Sequence, residues 1–194
     1  MKPMLISIAT LCAIAALAGC QNPSGSNSNY ETITADPNRR TDEAKRLHTE
    51  ALESIRADKP EDAQRLLKRA LDADVMFGPA HNNLGKLYFS QGRHYLAAWE
   101  FQYAARLMPD RPEPRNNLGL VFEAVGKLDQ AVEQYTQARV AAPDNAQIVG
   151  NLARARMRRG DRDPELKGLL EEVVLKDERP DWREWARERL ALWK

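Results

Sequence analysis

Two kinds of residue in this chain are placed to do chemistry: a cysteine at the end of an apolar leader, and a row of asparagines. Cys20 closes the run Leu17-Ala18-Gly19-Cys20, and Asn83, Asn117 and Asn151 recur at intervals of 34 residues. A thiol is a nucleophile that can carry a covalent group. A side-chain amide offers two donors and an acceptor. The other reactive side chains are scattered. His48, His81 and His94 share no catalytic or ligand spacing, and there is no His-Glu-x-x-His, no Gly-x-Ser-x-Gly and no phosphate-cradling glycine loop. Catalysis needs a nucleophile or metal beside a tuned base, so neither enzyme activity, a metal nor a cofactor is expected.

Cys20 is carried by the N-terminal segment. Lys2 is followed by the apolar run MLISIATLCAIAALAGC; at roughly 15 residues it is shorter than the ~20 a spanning helix needs. A positive start, a short apolar stretch and small residues before a cleavage point describe a secretory signal peptide over residues 1–19. The Leu17–Cys20 run resembles the lipobox of bacterial lipoproteins. The resemblance implies a diacylglycerol on the Cys20 thiol, cleavage just before it, and membrane attachment through that lipid. Gln21 resembles the residues that give the default route to the outer membrane, facing the periplasm. Cys12 falls in the segment to be removed, so the mature chain keeps one cysteine and no disulfide. Loss of Lys2 leaves 28 Lys+Arg against 28 Asp+Glu. A neutral chain gives no reason to expect nucleic acid or electrostatic membrane binding. Residues 20–40 are rich in Ser, Asn, Pro and Gly; they read as a flexible tether with a reach of about 25 Å.

The asparagines belong to a repeat. HNNLGKLYFSQG, from His81, returns as RNNLGLVFEAVG, from Arg115. Leu84, Gly85, Tyr88, Gly92, Ala97, Phe101, Ala104 and Pro109 are matched 34 residues later by Leu118, Gly119, Phe122, Gly126, Ala131, Tyr135, Ala138 and Pro143. This pattern resembles the tetratricopeptide repeat (TPR), except that His81 and Arg115 stand where Trp is commonest. His81 there reads as a packing residue. The resemblance implies an all-α fold: helix pairs stacked into a right-handed solenoid, with repeats at 44–77, 78–111, 112–145 and 146–179 inside a domain over 41–194. The outer two copies are weaker, as terminal repeats are. Asp58 stands for the turn Gly, Lys59-Pro60 breaks the first pair, and Thr41 or Asp42 is expected to cap the first helix. A closing helix over 181–193, capped by Asp181, turns Trp182, Trp185 and Trp193 to one face. These rings read either as a lid on the open end or as an aromatic docking patch.

Leu and Gly repeat for packing reasons, but an amide adds nothing to a helix seam. In the TPR frame Asn83, Asn117 and Asn151 share position 6 on the concave wall. One reading makes them a ladder for the backbone of an extended peptide. The other has them brace the neighbouring repeat. The same frame puts Asn82, Lys86 and Phe89, then Asn116, Leu120 and Glu123, then Arg154 along the groove, with His48 at its start. The basic run at 153–162 reads as a solvated helix face balanced by Glu165, Glu171 and Glu172, or as a nucleic-acid or lipid-headgroup site. The expectation is a lipid-anchored adaptor that binds a protein or peptide partner. The alternative is an assembly factor of the pilotin type, for a secretin or pilus, or a scaffold for peptidoglycan hydrolases. The oligomeric state is left open.

Overall fold

Prolines mark where helices begin. Pro60, Pro112, Pro164 and Pro180 occupy first helical positions and Pro79 a second, where the missing N–H is unneeded and φ is already helical. The structure, a computed structural model, describes residues 39–193. The leader, Cys20, most of the tether and Lys194 lie outside the described residues. Among the described residues there are nine α-helices and no strand. They are α1 (Thr41–Arg56), α2 (Pro60–Ala73), α3 (Gly78–Ser90), α4 (His94–Leu107), α5 (Pro112–Ala124), α6 (Leu128–Ala141), α7 (Ala146–Arg159), α8 (Pro164–Lys176) and α9 (Pro180–Ala191). None is long and apolar enough to cross a membrane.

Each helix packs on the next, and α3 also touches α5, as α5 touches α7. The odd-numbered helices therefore share one wall. The turns inside the pairs use Asp58, Gly92, Gly126 and Gly160, at φ of 54, 71, 76 and 100°. Asp tolerates this left-handed region better than most residues, which is how the first repeat manages without Gly. Gly85 and Gly119 are required by close approach. A Cβ there would lie 2.7 Å from the Phe101 ring and 2.5 Å from the Tyr135 ring.

The apolar interior forms two clusters, one running from α1 to α5 and one from α6 to α9. Phe122 packs against both. His81 is buried and stacks on Tyr103 at 5.2 Å. Its ring nitrogens face Glu100 (2.6 Å) and the Val75 carbonyl (2.8 Å), so it packs as expected while also tying α3 to α4. Trp182, Trp185 and Trp193 lie against the second cluster, covering that end of the stack.

Two expected caps differ. The N-cap of α1 is Arg40, with no side-chain bond, because the Thr41 hydroxyl instead donates to Asp74 (2.8 Å). The N-cap of α9 is Arg179. Pro180 starts that helix one residue early and leaves Asp181 in the first turn, where its charge suits the helix dipole.

Candidate peptide-binding groove

Helices α1, α3, α5 and α7 present equivalent residues to one another, and the amides meet across them. Asn83 Nδ2 donates to His48 Nε2 (2.7 Å), Asn117 Nδ2 to Asn82 Oδ1 (3.0 Å), and Asn151 Nδ2 to Asn116 Oδ1 (2.9 Å). Each bond joins position 6 of one repeat to position 5 of the repeat before, always 35 residues apart. The asparagines thus brace neighbouring repeats. Asn82, Asn116 and Asn151 are buried in these rungs, whereas Asn83 and Asn117 are half-buried. Asn83 and Asn117 each keep a second N–H and a carbonyl oxygen that bond to nothing among the described residues.

The first rung differs in kind. His48 accepts from Asn83 only through a neutral ring nitrogen, and burial pushes its pKa below the ordinary histidine value. The amide–amide rungs do not titrate.

Further along the wall the chemistry becomes ionic. Glu123 is 4 % exposed. It accepts from Arg154 Nε and Nη2 (2.8 Å each), Arg158 Nη1 (2.9 Å) and the Tyr135 hydroxyl (2.9 Å). Burial pushes its carboxyl up, but the Arg154, Arg158 and Tyr135 bonds outweigh that and hold it below the ordinary carboxylate value. Burial, with the Glu123 charge, drives the Tyr135 hydroxyl far above its ordinary value. Arg154 also stacks on Trp182 at 4.8 Å. The other face of this contact network is Arg179, 4.1 Å from the same ring and bonded to buried Asp177 (2.6 Å). Repeat 3 is thereby linked to the closing helix.

The groove residues fall into two groups. Lys86 is exposed, and Leu120 and Phe89 are half-buried with their rings or methyls on the core. Together with Asn83 and Asn117 they form the accessible surface. Asn82, Asn116, Asn151 and Glu123 are turned into the wall, and Arg154 is committed to Glu123. A shallow pocket at the second repeat is lined by Asn82, Asn83 and Lys86 with Arg111 and Glu113 opposite. The basic run is neutralised internally: Arg156 by Asp161, Asp163 and Glu165, and Arg159 by Asp161. Arg159 foremost, then Arg156, holds Asp161 down to about 2. Glu171 and Glu172, expected as counter-charges, pair with Lys167, Arg139 and Lys176 instead, since they face α6 and their own helix. No group of three or more His, Cys, Asp or Glu among the described residues could hold a metal ion.

Sequence reasoning missed the Tyr135 hydroxyl and the position 5 acceptors. The signal for the first was present. Phe89 and Phe101 of the second repeat become Glu123 and Tyr135 in the third, an acceptor and a donor arriving together.

The family model described as Tetratricopeptide repeat matches residues 48–112 and 116–181. No curated protein matches the chain. Among solved structures, PilF of Pseudomonas aeruginosa is 20% identical, covering 84% of this chain and 72% of its own, with a TM-score of 0.71. A MamA protein is 24% identical over 77% of this chain and 79% of its own, at a TM-score of 0.63. The first TPR of Spaghetti (RPAP3), bound to the HSP90 peptide SRMEEVD, is 17% identical over 65% of this chain and 100% of its own, at 0.62. With helices α1 to α8 paired in repeat register and residues 48–112 and 116–181 matched, the chain belongs to the tetratricopeptide repeat family.

Proposed function

We propose that this protein is a lipid-anchored adaptor that holds an extended peptide or protein segment in its concave groove, at the periplasmic face of the outer membrane. The observation that carries the groove reading is the set of rungs. They hold Asn83 and Asn117 in place and leave a donor and an acceptor on each that bond to nothing among the described residues. An extended peptide has unpaired backbone groups of both kinds, and pre-ordered partners lower the entropy lost on binding. Lys86 and Leu120 beside them supply charge and apolar contact. The solved TPR that holds an HSP90 peptide supports this mode of use. The anchor rests on the Leu17–Cys20 run and the polar tether behind it. No catalytic role belongs to this reading.

A second form of it, delivery of an assembling secretin or pilus component, is favoured by a lipobox joined to a solenoid whose fold resembles PilF. Gene neighbours separate the two: pilus or secretin genes favour delivery, and cell-wall hydrolase genes favour scaffolding.

Crosslinking in intact membranes followed by purification tests the groove. Lys86→Glu changes an exposed side chain and is expected to leave the melting temperature unchanged while cutting partner recovery severalfold. Recovery equal to wild type would reject the groove. Cys20→Ser is expected to move the protein to the soluble fraction, and continued pelleting with membranes would reject the anchor.

A further inference from the structure

Three positions on α4 break the 34-residue pattern with aromatic rings that the repeat frame does not require. Tyr95, Trp99 and Tyr103 follow one another at intervals of four along one face. Their equivalents are Glu61, Arg65 and Arg69 in α2, and Asp129, Glu133 and Gln137 in α6. The fourth repeat has Asp163, Lys167 and Glu171 there. Only the second repeat puts aromatic rings at these outward places. Tyr95 is 80% exposed and Trp99 51%. Tyr103 is held between the His81 ring and the Arg106 guanidinium, 4.4 Å from its centroid.

The rings overlook a groove between α4 and α6, floored by Leu118, Val121 and Phe122 of α5. Gln102, Gln130 and Gln134 line it too, and their amides bond to nothing among the described residues. The charged lining is Arg106, Arg115 and Lys127 against Glu133.

We infer that this groove, on the even-numbered helices, is a second docking site, and that it takes an extended acidic segment of another protein with apolar side chains at alternate positions. Four helical residues rise about 6 Å, and two residues of extended strand about 6.6 Å. Alternate side chains of such a strand therefore meet successive rings. The glutamine amides face its backbone with donors and acceptors, and the cationic rim answers its acidic side chains. A second copy of this chain would bring the same cations against the rim, which opposes self-pairing here. The site shares no residue with the rungs and does not depend on the concave-groove reading.

The test uses the full chain in detergent, with empty micelles subtracted, and fluorescein-labelled short peptides read by anisotropy. A peptide alternating Asp and Leu is expected to bind saturably. A peptide alternating Lys and Leu, and the Trp99→Glu variant with the Asp–Leu peptide, are each expected to bind about tenfold more weakly or less. Trp99→Glu keeps the wild-type melting temperature, and Arg65→Ala, at the equivalent place on α2, binds as wild type does. Equal binding of the two peptides would overturn the proposal, as would undiminished binding by Trp99→Glu or no saturable binding of the Asp–Leu peptide. A dimer in sedimentation that Trp99→Glu dissolves would make the groove a self-interface and equally overturn it.

Discussion

The second repeat (residues 78–111) and the third (residues 112–145) have the same helix lengths, the same glycine turn and the same glycine-on-ring contact, yet they are held to their neighbours differently. In the second, Phe89 and Phe101 add apolar area, and the amide rung onward is Asn82 with Asn117. In the third, Glu123 replaces one ring and Tyr135 adds a hydroxyl to the other, and the amide rung from Asn116 is joined by a buried carboxylate with three donor side chains. The backbone frame tolerates either solution because the substituted atoms lie at side-chain tips. The cost of disturbing them is unequal. An apolar side chain that is cut back loses contact, whereas a buried ionic group that loses its partner leaves an uncompensated charge.

The largest expected effect follows from that asymmetry. Glu123→Ala should destabilise by about 3 kcal/mol, and Phe89→Ala, half-buried, by about 1.5 kcal/mol, both measured by urea unfolding. Equal losses would erase the contrast between the repeats. The Glu123 contribution also has a pH signature. Its folded pKa lies below the unfolded one, so the stabilisation is full above the unfolded value of about 4.3 and is lost as pH falls through the folded value. The stability gap between wild type and Glu123→Gln should therefore narrow below about pH 4.

Gly85→Ala and Gly119→Ala should each cost about 2 kcal/mol, since both would press a methyl into a ring. Similar values would show that this contact is common to the two repeats while the ionic cluster is not. Tyr135→Phe should cost about 1.5 kcal/mol, from the lost bond to a carboxylate. In a Glu123→Phe background the same change should cost almost nothing, and a double-mutant cycle reads the difference. The smallest effect belongs to the first rung. His48 has a lowered folded pKa, so the stabilisation that rests on its neutral form is complete above about pH 6.5 and is lost as pH falls through the folded value. Amide protection near Asn83, taken relative to the intrinsic exchange rate at each pH, should then fall in acid, while protection near Asn117 stays level.

The frame was legible because each of its residues acts alone: Gly85 for approach, Gly92 for the turn, Pro109 to end a helix. The rungs were half legible. Asn83, Asn117 and Asn151 stood out by period, but their partners lie one position earlier in the preceding repeat, a 35-residue relation that exists only once the repeats are stacked. Tyr135 opposite Phe101 looked like an aromatic exchange because the 34-residue comparison takes positions singly, and the hydroxyl has meaning only beside Glu123. The α4 rings went unread for the opposite reason, since aromatic residues in a helix pass for core until exposure is known.

The rungs also stop for a reason written in the last turns. The next pair in the series would be residues 150 and 185, and those are Gly150 and Trp185. A methyl at Gly150 would meet the Trp182 ring at 2.8 Å. The stack thus carries its own terminator: a further duplicated unit could not be spliced on by copying alone, because the seat of the next amide has been given to indole. Lengthening this protein would mean removing its closure first, so its copy number is fixed by a single bare α-carbon.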